Sequence, residues 1–73
     1  MKFQTGKSYR HRATTDIDIY IASALEITEE GTKAQVWYWN RNYNFFQGSP
    51  EDIFIKSEDY DKWEEVIHHH KKG

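Results

Sequence analysis

The stretch that decides the fold is DIDIYIASALEITEEGTKAQVWYWNR, residues 16–41. Its first half alternates with a period of two and places its large aliphatic side chains on one face: Ile17, Ile19, Ile21, Leu25 and Ile27. Such alternation is typical of a half-buried β-strand, and the small side chains at 22–24 indicate a bend. EEGT (29–32) has turn composition, with Gly31 free to adopt a positive φ. KAQVWYWNR (33–41) is rich in strand-favouring residues, so the stretch is predicted to form one β-hairpin.

The flanking segments predict further short strands and a C-terminal turn. KSYRHRA (7–13) is predicted as a first strand and IFIKS (53–57) as a later one. QGSPED (47–52) is predicted as a break, because Pro50 is not tolerated in a central strand. Ser57 is expected to cap a helical turn over 57–62, whereas 63–67 fits either a continued helix or a closing strand.

These elements together predict an all-β fold of four to five strands. The two forms that fit are a small SH3-like barrel and a curled antiparallel sheet, each with a short C-terminal helical turn. Residues 1–67 are expected to form this single domain, and the basic residues 68–73 a disordered tail.

Composition narrows the classes of function. The 73 residues carry a net charge of −2 and no cysteine, which disfavours a polynucleotide-coating protein and excludes disulfides and thiolate metal sites. No apolar run approaches the roughly 18 residues of a membrane span, and no signal-peptide core is visible, which predicts a cytoplasmic protein. Neither a cofactor nor an enzymatic activity is expected, because no nucleophile–base arrangement is found. Aromatic residues make up 16% of this short chain, which favours a homo-oligomer.

The alternation of the second hairpin strand assigns its aromatic side chains to two faces. If Val36 faces the core, then Ala34 and Tyr38 do too, while Trp37 and Trp39 point outward. This choice also keeps Lys33, Gln35 and Arg41 out of the core. A turn centred on EEGT would place Ile21 near Asn40 and Tyr20 near Arg41.

The outward side chains are the candidate ligand-binding surface. Aromatic faces stack on planar groups, arginine binds phosphate or carboxylate, and asparagine can read a base edge. The candidate residues are Trp37, Trp39, Arg41, Tyr20, Arg10, Arg12, Asn40, Asn42 and Tyr43. Two other interpretations remain open for the same face: it is covered by another part of the chain, or it is an interface between copies.

Other candidate sites have weaker support. The run of histidines at 68–70 is a poor defined metal site, because consecutive residues on a flexible tail do not converge. His11 fits a hydrogen-bonded structural histidine. Asp16 and Asp18 share a strand face and fit paired catalytic carboxylates, the ordinary polar face of a strand, or ion pairs with Arg10 and Arg12.

Three segments resemble the small accessory proteins of bacterial viruses: FQTGKSYRHR (3–12), DIDIYI (16–21) and DKWEEV (61–66). A short 3₁₀ turn before the last strand is also similar to SH3-like small barrels. The resemblance implies a non-catalytic protein of an infected bacterial host's cytoplasm that sequesters a nucleotide-like immune signal. The alternative that it implies is an SH3-like interaction module that binds and inhibits a host protein.

Overall fold

The computed structural model of the chain describes residues 3–67. The predicted tail at 68–73 lies outside the described residues. Five strands and one 3₁₀ turn follow one another: β1 (Ser8–His11), β2 (Ile17–Ile27), β3 (Gly31–Asn40), β4 (Phe45–Lys56), the 3₁₀ turn (Ser57–Lys62) and β5 (Trp63–Val66).

All five strands belong to one antiparallel sheet in the order β4-β3-β2-β1-β5. The all-β class is therefore confirmed, as is the helical turn over 57–62. Among residues 3–67 no pairing joins the end strands β4 and β5, so the sheet is curled and open rather than a closed barrel. Residues 63–66, which fitted either a helix or a strand, form the closing strand beside β1.

The hairpin of β2 and β3 forms as predicted, but its predicted register is wrong by four residues. Ile21 pairs with Val36 rather than lying near Asn40, and Tyr20 pairs with Trp37. Half of the difference arises because the turn is centred on Glu29 and Glu30, flanked by a reciprocal pair of backbone hydrogen bonds between Thr28 and Gly31. The remainder comes from two β-bulges in β2, each of which adds one residue to that strand.

The bulges also explain why the aliphatic ridge of β2 is not continuous. Register shifts fall between Ile21 and Ser23 and between Ala24 and Glu26, where the bend was expected. Ala24 consequently packs against the core. Leu25 and Ile27, predicted on the core face, are 50% and 56% exposed.

β4 corrects the prediction of a break at 47–52. The strand runs without interruption from Phe45 to Lys56 and passes through Pro50. This is possible because β4 is an end strand of the sheet, where a residue without an N–H is tolerated. The predicted break corresponds to a bulge within the strand. Val36 pairs with Glu51 and Tyr38 with Gln47, which leaves residues 48–50 opposite Trp37.

The core lies on the inner face of the sheet, which carries Ile19, Ile21 and Val36. The C-terminal segment covers it: the Phe3 ring packs edge-on against Tyr60 and Trp63. The Tyr60 hydroxyl lies 2.6 Å from that of buried Thr32. Ser57 does not cap the 3₁₀ turn, whose N-cap is Lys56 with no side-chain hydrogen bond. The C-terminal segment therefore completes the core and leaves the opposite, outer face of the sheet for Trp37 and Trp39.

Candidate functional site

Four aromatic side chains meet on the outer face. Alternation of β3 turns Trp37 and Trp39 outward, and Tyr20 joins them because it pairs with Trp37. Phe46 of β4 pairs with Trp39, and its ring centroid lies 4.9 Å from that of Trp39 and 5.8 Å from those of Tyr20 and Trp37. We call these four residues the aromatic cluster. Three of them were sequence candidates, and the structure brings those three together.

Phe46 is the member that the sequence analysis missed. Its position was hidden because 47–52 was predicted as a break, so 45 and 46 had no strand to belong to. Recognising a tight turn at 41–44 would have placed Phe46 correctly. This turn folds β4 back on β3 and sets Phe46 opposite Trp39. Phe46 is 47% exposed, so one side of its ring is open to a partner.

A cleft of about 490 Å³ opens beside the aromatic cluster. Strands β1, β2 and β3 contribute Ser8, Tyr20 and Trp39, and the two end strands contribute Phe46 and Val66. The remaining lining residues are Gly6, Lys7, Glu65 and Ile67. The cleft therefore has aromatic and aliphatic surfaces together with a charged rim, where the Lys7 ammonium lies 3.5 Å from the Glu65 carboxylate.

An ion-paired triad lies next to the aromatic cluster. Asp18 pairs with Trp39 across the sheet, and its side chain is fully buried. Both the Arg10 and the Arg41 Nε atoms lie 3.0 Å from Asp18 Oδ1. The hydrogen bond to Asp18 raises the pKa of Arg10 above its ordinary value, opposed in part by desolvation of the guanidinium. Of the interpretations of the aspartates, the ion pair with Arg10 holds for Asp18, and its second partner is Arg41 rather than Arg12.

The triad keeps a surplus of one positive charge and of hydrogen-bond donors. Arg10 donates from Nε and Nη2 to the two oxygens of Asp18. The Arg41 Nε is close to the carboxylate but is not aligned for a hydrogen bond, and its buried Nη2 has no acceptor among residues 3–67. Buried guanidinium nitrogens without acceptors are costly, and one further oxygen acceptor would satisfy the Nη2 of Arg41.

The turn between β3 and β4 uses the side chain of Asn40 for its own structure. Asn40 Oδ1 accepts hydrogen bonds from the backbone N–H groups of Asn42 and Tyr43, and its Nδ2 donates to Gln47 Oε1. Tyr43 is 72% exposed at this turn, where it stacks on Phe45 at 6.0 Å between centroids. Asn40, Asn42 and Tyr43 do not line the cleft.

Arg12 lies apart from the other arginines. It lines a second hollow with Tyr60, Trp63 and the acidic residues of the 3₁₀ turn. His11 is half-buried against the Trp63 ring, and its Nδ1 accepts a hydrogen bond from the Ala13 N–H. This structural role for His11 agrees with the sequence interpretation.

Metal and membrane criteria give negative results for residues 3–67. In this part of the chain no group of three or more histidine or acidic side chains is arranged to hold a metal ion. The histidine run at 68–70 lies outside it. Within the same residues, no helix has the length and apolar character needed to cross a bilayer.

Comparisons with known proteins gave no match to any family model, curated protein or solved structure. The resemblance to accessory proteins of bacterial viruses therefore stays a prediction.

Proposed function

We propose that the chain is a non-catalytic binding protein whose cleft holds a nucleotide-like ligand. The observation that carries this proposal is the meeting of Tyr20, Trp39 and Phe46 at one cleft beside the arginine-bearing triad. A ligand with a planar ring and an anionic group matches both features. The ring stacks on the aromatic side chains that line the cleft. Arg10 and Arg41 lie beside the cleft rather than in its wall, so the anionic group would extend past the lining towards their guanidinium groups.

The size of the cleft supports a small ligand. Its volume of about 490 Å³ falls within the 300–1,000 Å³ or so that is usual for small-molecule sites. The aromatic side chains come from three neighbouring strands of one sheet, which holds them in place before a ligand arrives. Each base–aromatic stack contributes about 1–3 kcal/mol and a charge-assisted contact about 1.5–3 kcal/mol. Two stacks and one such contact together contribute about 3.5–9 kcal/mol, and the upper end of this range corresponds to micromolar binding.

The triad supports an anionic rather than a neutral ligand. Asp18 neutralises one of two arginines, and the Arg41 Nη2 atom lacks an acceptor among the described residues. A phosphate or carboxylate oxygen is the acceptor that guanidinium groups prefer. The charge surplus is local, because the whole chain has a net charge of −2.

Sequestration of a host immune nucleotide is the biological role that we attach to this binding. It rests on the resemblance of the sequence to accessory proteins of bacterial viruses. Catalysis plays no part in this role, since the ligand is only withheld from its receptor.

Peptide docking is the second candidate function. Phe46 and Ile67 at the rim are 47% and 63% exposed, which favours an apolar partner that extends beyond the cleft. An SH3-like module that inhibits a host protein would use this surface. A panel of nucleotides separates the two functions, because an apolar peptide site gives no response to phosphate.

The proposal is tested by thermal unfolding against mono-, di- and cyclic nucleotides at millimolar concentration. A ligand at a hundred times its dissociation constant adds about 2.7 kcal/mol, which raises the melting temperature of a domain this small by about 10 °C or more. The matching nucleosides should give smaller shifts, because they lack the anionic group. An unchanged melting temperature across the panel would remove the nucleotide proposal.

Replacing Trp39 with alanine should weaken nucleotide binding by about 5- to 150-fold, the equivalent of one lost stack. Isothermal titration calorimetry measures the change. Trp39→Phe should recover most of the affinity, because it keeps an aromatic face. Tyr43→Ala is the matched control, since Tyr43 is exposed at the turn and does not line the cleft. Equal affinities of the Trp39→Ala and Tyr43→Ala variants would place the ligand elsewhere.

A further inference from the structure

The C-terminal half of β4 is an exposed strand edge. β4 ends the sheet on one side, so one of its backbone edges has no strand partner among residues 3–67. We call residues 51–56 the edge segment. Its outward side chains are all exposed: Asp52, Phe54 and Lys56. Natural end strands are usually interrupted or shielded, because a free edge pairs with other chains.

The irregularities of β4 lie outside this segment. Pro50 and the bulge at 48–50 precede it, and the 3₁₀ turn begins at Ser57 directly after it. Six consecutive residues therefore keep regular strand geometry and contain neither proline nor glycine. Phe54, at 52% exposure, is the largest apolar side chain on the outer face of this segment.

We propose that the edge segment pairs antiparallel with the same segment of a second copy, with Phe54 opposite Phe54. In an antiparallel pair, residues that stand opposite each other lie on the same face of the sheet. A two-fold axis perpendicular to the sheet keeps each side chain on its face, so one residue must stand directly opposite its own copy, with the axis midway between the two. With Phe54 on the axis, Asp52 stands opposite Lys56 of the second copy, and Lys56 stands opposite its Asp52. An aromatic pair is thus flanked by two oppositely charged pairs on one face.

The opposite face of the same register is apolar. Ile53 stands opposite Ile55 of the second copy, and the symmetry repeats the pair. Ile53 is half-buried and Ile55 is 4% exposed, so both already belong to or border the core. Both faces of the joined sheet are therefore complementary, and β4 becomes the central strand pair of a continuous ten-stranded sheet.

Neighbouring registers and the other end strand fit less well. With Ile53 on the axis, Asp52 would face Phe54 and Glu51 would face Ile55, which leaves carboxylates against apolar side chains. β5 has only four residues, and self-pairing about Glu64 or Glu65 would oppose identical carboxylates. The charge pattern therefore favours this edge and this register over those alternatives. Among the described residues, pairing of the two β4 edges leaves only β5 as an end strand on each side of the joined sheet.

This interface is separate from the ligand proposal. The cleft uses Phe46, which lies in the other half of β4 beyond the bulge. Either inference can fail while the other stands.

The test is the mass of the full chain in solution, measured by sedimentation equilibrium over a concentration series. The native chain should reach twice its monomer mass of 8.8 kDa at micromolar concentrations. Lys56→Glu replaces both attractive pairs by repulsive ones and should raise the dissociation constant on the order of tenfold or more. Asp52→Lys should do the same.

The charge-swapped variant Asp52→Lys/Lys56→Asp should recover the dimer, which a general loss of stability cannot explain. Lys62→Glu is the matched control, because it changes net charge equally at an exposed lysine of the 3₁₀ turn, and it should leave the dimer intact. Circular dichroism verifies that every variant is folded. A native chain that stays monomeric, or a folded double variant that stays as weak as either single variant, would overturn the proposal.

Discussion

Replacing Asp18 with asparagine should lower the free energy of unfolding by about 2–4 kcal/mol. Removing one partner of a buried ion pair typically costs about 3–5 kcal/mol, because the remaining charge is left without compensation. The figure is reduced here because the side chains of Arg10 and Arg41 are 33% and 24% exposed, so solvent screens part of their charge. Two cations depend on this one carboxylate, whose side chain is fully buried.

The measurement for Asp18→Asn is urea unfolding followed by tryptophan fluorescence. A domain of this size has a stability of about 4–11 kcal/mol, so the expected loss is a large fraction of it. Asp59→Asn is the matched control, since its ion pair with Lys62 is exposed and contributes less than about 1 kcal/mol. Equal losses for the two variants would show that the triad does not hold the outer face together.

Replacing Gly31 with alanine should cost about 2–3 kcal/mol, near the upper end for overpacking. A Cβ at this position would overlap the backbone oxygen of Ile55 and come within 2.7 Å of Cζ of Phe54. Gly31 pairs with Lys56, so relief of the overlap would push β4 away from β3. The edge segment would move with it.

Gly48→Ala separates crowding from backbone strain. Gly48 has a φ of +73° but open space where its Cβ would lie, so that change costs only about 1 kcal/mol of conformational strain. Chemical denaturation should therefore rank Gly31→Ala well below Gly48→Ala in stability. The reverse order would mean that the close approach of β3 and β4 is not needed for the fold.

Strand alternation predicted whether a side chain faces inward or outward better than it predicted which residues pair between neighbouring strands. Val36 and Ile21 face inward and Trp37 and Trp39 outward, as period-two patterning requires. Cross-strand register depends on turn geometry and on bulges, and β2 contains two bulges. A bulge leaves little trace in sequence, because it changes backbone geometry without requiring a particular side chain.

The candidate site was predicted only in part, because alternation shows which side chains share a face but not which strands lie side by side. Tyr20, Trp37 and Trp39 meet because they share a face of adjacent strands, which patterning reveals. Phe46 was missed because Pro50 was taken to exclude a strand, and only the sheet order shows that β4 is an end strand where proline is tolerated.

The charge partners of Asp18 were predicted only in part: Arg10 was expected, whereas Arg41 and the burial of the carboxylate were not. Asp18 alternates as a polar-face residue in sequence, yet it is 1% exposed. It becomes buried because Arg10 and Arg41, from β1 and from the turn after β3, close over it. The shared outer face made Arg10 a candidate partner, but the contact with Arg41 depends on the register between strands, which patterning within one strand does not reveal.

The most direct test of the cleft as a nucleotide site is a titration followed by the indole N–H resonances of the three tryptophans. Nucleotide binding in the cleft should shift the Trp39 resonance saturably and that of Trp37 to a smaller extent, because Trp39 lines the cleft and Trp37 contacts it through Phe46. The Trp63 resonance should stay in place, since that ring packs on the inner face against Phe3. Three unmoved resonances, or movement of Trp63 alone, would contradict the account.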